Sequence, residues 1–221
     1  MGYHSFTEDT TFDEAREAAE FTVEALDSYP DETVRALTHP LQTLLEQAEG
    51  LAMAARRARR QMLRANARVR TGDGLADDEV REFVKDLLAA VRQDRSTTLY
   101  RAFFPQTPSE VIDMSLEPEI EELKRMMRLL EADSTPAALR EVWRPRFAAV
   151  IARGLTAIDE RKAALLAMAE TTAASDRWME RVDRCRRGID TTLIAYAADK
   201  GLPRDFHDRF FPGPPSRRRR V

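Results

Sequence analysis

The sequence predicts an all-α protein, an elongated antiparallel helical bundle of about six helices. Three observations lead there. Aliphatic residues recur at helical spacing along nearly the whole chain of 221 residues, the mark of helices with one buried face. Runs of alternating β-branched and aromatic residues, which strands need, are missing. From Val34 to Val69 a heptad seam is sustained for five repeats, as in a long helix packed at a shallow angle against its neighbours.

The first helix opens at Thr11, with Glu14 three residues on completing a capping box. Its apolar stripe is Phe12, Ala15, Ala19, Val23 and Leu26. Tyr29-Pro30 closes it, because the residue before proline is pushed out of the α region, and Pro30 suits the first position of the next helix. The second helix carries the seam Val34, Leu37, Leu41, Leu44, Ala48, Leu51, Ala55, Ala58, Met62, Ala65 and Val69. Pro40 is expected to kink or delay its start, and the alanines in its second half call for a closely approaching partner. Thr71-Gly72-Asp73-Gly74 is expected to end it. Asp77 then caps a third helix that turns Val80, Phe83 or Val84, Leu87 and Val91 inward.

After Phe103-Phe104-Pro105 and a linker with Pro108 and Pro118, the helical pattern restarts. Ile120, Leu123, Met127 and Leu130 make a fourth helix, and Ser134-Thr135-Pro136 starts a fifth that contains Pro145. Trp178, Val182, Cys185, Ile189 and Tyr196 mark a sixth, with Thr171 to Ser175 as the place where the last two would divide.

The two halves echo each other. Val34-Arg35-Ala36-Leu37-Thr38-His39-Pro40 aligns with Leu139-Arg140-Glu141-Val142-Trp143-Arg144-Pro145. Gly50-Leu51 matches Gly154-Leu155, Thr97-Thr98-Leu99 matches Thr191-Thr192-Leu193, and Phe103-Phe104-Pro105 matches Phe210-Phe211-Pro212, all in the same order. The expectation is two tandem three-helix repeats. It divides the chain into a flexible N-terminus (1–10), a first unit (11–105), a linker (106–118), a second unit (119–212) and a disordered basic tail (213–221).

Composition excludes several classes. One cysteine, Cys185, cannot make an intramolecular disulfide or a multi-cysteine metal site. No apolar run approaches a membrane span, and Met1 to Asp9 has neither the basic start nor the apolar stretch of a signal peptide, so a cytoplasmic setting without membrane contact is expected. No P-loop, nucleophile elbow or dinucleotide fingerprint is present, and none of His4, His39 and His207 follows a glutamate at the spacing of a di-iron bundle. No catalytic residue and no cofactor is expected.

Charge is segregated. Residues 1–50 hold 12 acids and 2 bases, whereas residues 51–70 hold 7 arginines and no acid. Arg56, Arg57, Arg60, Arg64 and Arg70 fall on outer positions of the heptad frame, and Arg56, Arg60, Arg64 and Arg68 form an i, i+4 stripe. Such a stripe suits nucleic-acid phosphates. The favoured reading is internal, with Glu14, Glu17, Glu20 and Glu24 of the first helix lying alongside and neutralising it, because no aromatic residues interleave with the arginines. Arg217, Arg218, Arg219 and Arg220 form a basic tail that reads as disordered. The strongest enzymatic alternative is a magnesium site between Asp13, Glu14, Glu17 and Glu20 on one helix and Glu79, Glu82 and Asp86 on another, for a metal-dependent all-α hydrolase.

These observations favour a non-enzymatic interaction or scaffolding protein that binds a protein partner, or itself as a homodimer, through its helix faces. A nucleic-acid-associated protein using the arginine stripe and tail is the second expectation.

Overall fold

The structure is a computed structural model that describes residues 3–212, and no strand occurs among them. The elements are α1 (Phe12–Asp27), α2 (Glu32–Arg35), a 3₁₀ turn (Ala36–Thr38), α3 (His39–Ala90), α4 (Thr98–Phe103), α5 (Pro108–Ile112), α6 (Leu116–Leu130), α7 (Ala137–Asp199) and a 3₁₀ turn (Phe206–Phe210). The all-α class is thereby shown. No helix among the described residues is long and apolar enough to cross a membrane.

Local signals explain the boundaries. The Thr11 hydroxyl accepts from the Glu14 amide while the Glu14 carboxylate accepts from the Thr11 amide, closing the capping box at the head of α1. The same Thr-x-x-Glu device, Thr107 with Glu110, starts α5 inside the stretch expected to be a plain linker. Asp31 caps α2, and the chain passes through a 3₁₀ turn before α3 starts at His39-Pro40, where a proline costs no hydrogen bond.

Three expectations are corrected. Gly72 and Gly74 do not end a helix: α3 runs through them to Ala90, so Asp77 is an interior helical residue and not a cap. Thr171 to Ser175 is helical, so the expected fifth and sixth helices are one, α7. The fourth helix begins earlier, at Leu116, with Pro118 in its first turn. Tertiary packing overrides the local signal at Gly72. A Cβ there would stand 3.3 Å from Leu116 Cδ2, and one at Gly154 would stand 2.4 Å from Ile120 Cδ1, so these two glycines let α6 settle close to α3 and α7.

The chain forms two compact units along lines other than the tandem division. Unit 1 takes residues from Met1–Arg57 and Ala169–Val221, unit 2 from Ala58–Met168. Each therefore combines the front of one long helix with the back of the other. In unit 1, α1 buries Ala15, Ala19, Val23 and Leu26 in a core with Leu41, Leu44, Trp178, Val182, Leu193 and Phe210. Residues 3–10, expected to be a flexible lead, form no helix, and Tyr3 and Phe6 pack against this core. The Trp178 indole N–H donates to the Leu44 carbonyl at 2.8 Å.

Unit 2 is built around α3, α6 and α7. Arg68 pairs with Glu160, Glu79 with Arg146 at 2.8 Å, and Trp143 donates to Asp86 at 2.9 Å, so α3 and α7 run antiparallel there. Phe83 lies at the centre of an aromatic cluster with Phe103, Phe104, Trp143 and Phe147, ring centroids 5.0–6.1 Å away. Both Phe-Phe pairs are buried: Phe103 and Phe104 in unit 2, Phe210 and Phe211 in unit 1. They are core plugs and not exposed knobs.

Candidate interaction surface

The outward face of α3 is set by what the inward face needs. Ala58, Ala65 and the partly buried Met62 and Val69 take the seam positions, which leaves every arginine of residues 56–70 on the solvent side. Arg56 and Arg57 are exposed at the end of the unit 1 segment, and Arg59, Arg60, Arg64, Arg68 and Arg70 are exposed in unit 2. Arg68 is tied to Glu160 of α7. Among the described residues, Arg56, Arg57, Arg59, Arg60, Arg64 and Arg70 make no ion pair. Glu14 is spent on its capping box, where hydrogen bonds from Thr11 hold its carboxyl below the ordinary range, and Glu20 pairs with Arg16 within α1.

Leu63 stands among these arginines with 63% of its surface exposed. Beside it, Arg64 and Arg68 of α3 line a shallow hollow of about 320 Å³ with Glu160, Ala163 and Ala164 of α7. Further along the same helix pair Ala67, Thr71 and Leu75 line a second hollow of about 570 Å³ with Ala152, Arg153 and Thr156. The surface is thus basic, with small and apolar residues between the charges. Arg59 and Leu63 were not among the sites the sequence suggested. Leu63 was legible as the one leucine of residues 56–70, since it lies off the heptad seam and so has no inward role.

The other candidate residues belong to different units. Glu17 is exposed on α1 in unit 1, while Glu79 pairs with Arg146 and Glu82 with Lys85 in unit 2. No group of three or more His, Cys, Asp or Glu residues suited to a metal ion occurs among the described residues. Arg217 to Arg220 lie outside the described residues. Cys185 packs half-buried against the unit 1 core, where desolvation raises its thiol pKa, the reverse of what a nucleophile needs.

Among the described residues, one acidic and one basic side chain are buried. Glu119 of α6 is fully buried, neither of its carboxylate oxygens has a hydrogen-bond partner among the described residues, and Asp77 and Asp73 of α3 are its charged neighbours. Desolvation first, and then those two carboxylates, push its carboxyl up to about 8. Arg186 of α7 is 2% exposed, donates from Nε to the Thr22 hydroxyl at 3.4 Å, and lies 5.1–5.5 Å from the ring centroids of Tyr3, Phe6 and Phe211.

No family model, no curated protein and no solved structure matches this chain.

Proposed function

We propose that the protein is a non-enzymatic helical-bundle interaction protein whose contact surface is the arginine face of α3 from Arg59 to Arg70, and that it takes an acidic, partly apolar protein partner. One observation carries this reading: four exposed arginines on one helix without an ion pair among the described residues, in a segment that contains no acid at all. Leu63 and the alanine-lined hollow beside Arg64 favour a protein over a nucleic acid, because protein interfaces gather apolar side chains at their centre and arginine around them, whereas phosphate-tracking surfaces stay polar. A cytoplasmic setting belongs to the same proposal.

The test compares two probes at one salt concentration, a poly-glutamate peptide carrying leucines and a DNA duplex, against the wild type and Arg60→Gln/Arg64→Gln/Arg70→Gln. The expected result is peptide binding that the triple variant loses. Tighter binding of the duplex, falling steeply with salt, would transfer the surface to nucleic acid. Binding of neither probe would remove the reading.

We also propose that the two halves arose by duplication, in a single helical register that differs from the offsets of 94 to 107 residues taken by the sequence matches. At a constant offset of 106 residues the buried positions 72, 76, 80, 83 and 87 of α3 fall on buried positions 178, 182, 186, 189 and 193 of α7. Positions 41, 44 and 48 likewise fall on 147, 150 and 154. Each unit then contains the front of one repeat and the back of the other.

A further inference from the structure

We infer that the partner of the arginine face is a second copy of this chain, presenting the acidic outward face of its α1. This rests on the contact surface proposed above and names its occupant.

Asp13, Glu17, Glu20 and Glu24 are spaced by four, three and four residues, which places them on one face of α1. All four are exposed, and the opposite face, with Ala15, Ala19, Thr22 and Leu26, is buried in unit 1. Asp13, Glu17 and Glu24 make no ion pair among the described residues, and Glu20 has the half-buried Arg16 one turn away, 3.3 Å distant. The acidic face is therefore as uncompensated as the arginine face.

The two faces also match in length. Asp13 to Glu24 and Arg59 to Arg70 are each twelve residues long, a rise of about 16 Å from first to last. Each has one large apolar side chain exposed within it, Phe21 at 46% and Leu63 at 63%. Laid antiparallel, Asp13 meets Arg70, Glu24 meets Arg59, and Phe21 falls within one residue of Leu63. An apolar contact ringed by ion pairs is the anatomy of a specific interface, and the desolvated centre strengthens the charges around it. Exposed ion pairs by themselves contribute little, so Phe21 and Leu63 are necessary to the contact.

Sedimentation velocity tests this on the full chain. The wild type is expected to associate in 50 mM salt and to weaken roughly tenfold in 500 mM, as screening shortens the reach of the charges. Asp13→Arg/Glu24→Arg and Arg59→Glu/Arg70→Glu are each expected to sediment as monomers, and an equimolar mixture of the two to associate again. Circular dichroism checks that each variant stays helical; if a pair of substitutions unfolds the chain, Phe21→Ser and Leu63→Ser carry the test, each expected to weaken association at unchanged charge. A wild type that stays monomeric at low salt, or an assembly that survives both charge swaps, would overturn the inference. A monomeric wild type that still binds the acidic peptide through Arg60, Arg64 and Arg70 would leave the proposed function standing without this occupant.

Discussion

Asp183 in unit 1 and Asp77 in unit 2 hold the same place on their long helices, half-buried and 106 residues apart, yet one is saturated and the other is starved of donors. Asp183 accepts from the Tyr3 hydroxyl, from the Phe6 amide at 3.0 Å and from Arg187 at 2.9 Å. Asp77 has one oxygen 3.4 Å from Arg81 and the other buried without a partner, and its most perturbed neighbour is another carboxyl, Glu119. The neighbouring seam position follows suit: Arg186 in unit 1, Val80 in unit 2. Unit 1 keeps a buried cation by facing it with three aromatic rings, which attract a cation without needing one of its own charge. Unit 2 buries a carboxyl that accepts no hydrogen bond and has two carboxylates and only one cation, Arg81, acting on it, and the physical answer there is to hold a proton, since a protonated Glu119 can donate to Asp77.

That difference makes pH the sharpest way to separate the units. Glu119 ionises near 4.5 in the unfolded chain and near 8 when folded. A raised carboxyl contributes stability that is fully present below 4.5 and is lost as pH rises through 8. At about 1.4 kcal/mol per unit the loss is on the order of 4 kcal/mol. Each unit holds one tryptophan, Trp143 in unit 2 and Trp178 in unit 1, so denaturation followed by fluorescence in Trp178→Phe reads unit 2. Its midpoint is expected to fall from pH 5 to pH 9, and Glu119→Gln to abolish most of that fall. A flat profile in the parent protein would refute the neutral carboxyl.

Unit 1 is expected to behave differently. Arginine keeps its proton throughout this range, so Arg186 adds no pH dependence to the Trp178 signal of Trp143→Phe, and the slope left there is that of Asp190, whose carboxyl burial raises; it is expected to be smaller than the slope of unit 2. Replacing Arg186 by alanine removes its stem packing and three cation–π contacts, a loss of about 2–4 kcal/mol. The loss should appear on Trp178 and leave Trp143 unmoved; a change on both would mean the two cores do not report separately.

How much of this was legible follows the same physics. Thr11 with Glu14 and the seam from Val34 to Val69 were readable because capping and periodicity are local. Thr107 with Glu110 carried the same signature and could have been read as α5. Gly72-Asp73-Gly74 misled because a glycine in a helix costs only about 1 kcal/mol against alanine, less than the packing of Leu116 that its missing side chain allows. The fused α7 and the exchange of long helices between units depend on contacts far apart in sequence, which no local signal reports. The arginine face was visible as composition. That most of these arginines have no ion-pair partner among the described residues was not, because pairing depends on residues far apart in sequence.

Two glycines of the long helices, Gly50 in unit 1 and Gly154 in unit 2, give a finer contrast. Gly154 has Ile120 where a Cβ would go, whereas nothing lies within 4 Å of that position at Gly50. Gly154→Ala is expected to destabilise by about 1–2 kcal/mol through overpacking, partly restored by Ile120→Val, which removes the clashing Cδ1. Gly50→Ala, in the open, is expected to stabilise by about 0.5–1 kcal/mol through helix propensity. Thermal melts of the three variants check both signs, and a common sign would dissolve the contrast.

The smallest effect lies where the long helices stop. At the end of α7, Gly201 takes φ +63° while the Leu202 amide reaches back to the Ala197 carbonyl at 2.9 Å. At the end of α3 the same reach is made by the Gln93 amide to the Leu88 carbonyl at 2.7 Å, and the residue in the glycine's place is Arg92, at φ +54°. Both ends use the same αL cap, one with the residue it favours and one without. A side chain costs about 1 kcal/mol or more in the left-handed region, so Arg92→Gly is expected to stabilise unit 2 by about 0.5–1 kcal/mol after the entropy glycine adds to the unfolded chain. Gly201→Ala is expected to destabilise unit 1 by a similar amount. Because Trp143 and Trp178 report the two units, the pair should move the two midpoints in opposite directions, and an Arg92→Gly variant less stable than its parent would show that Arg92 makes up for its strain elsewhere.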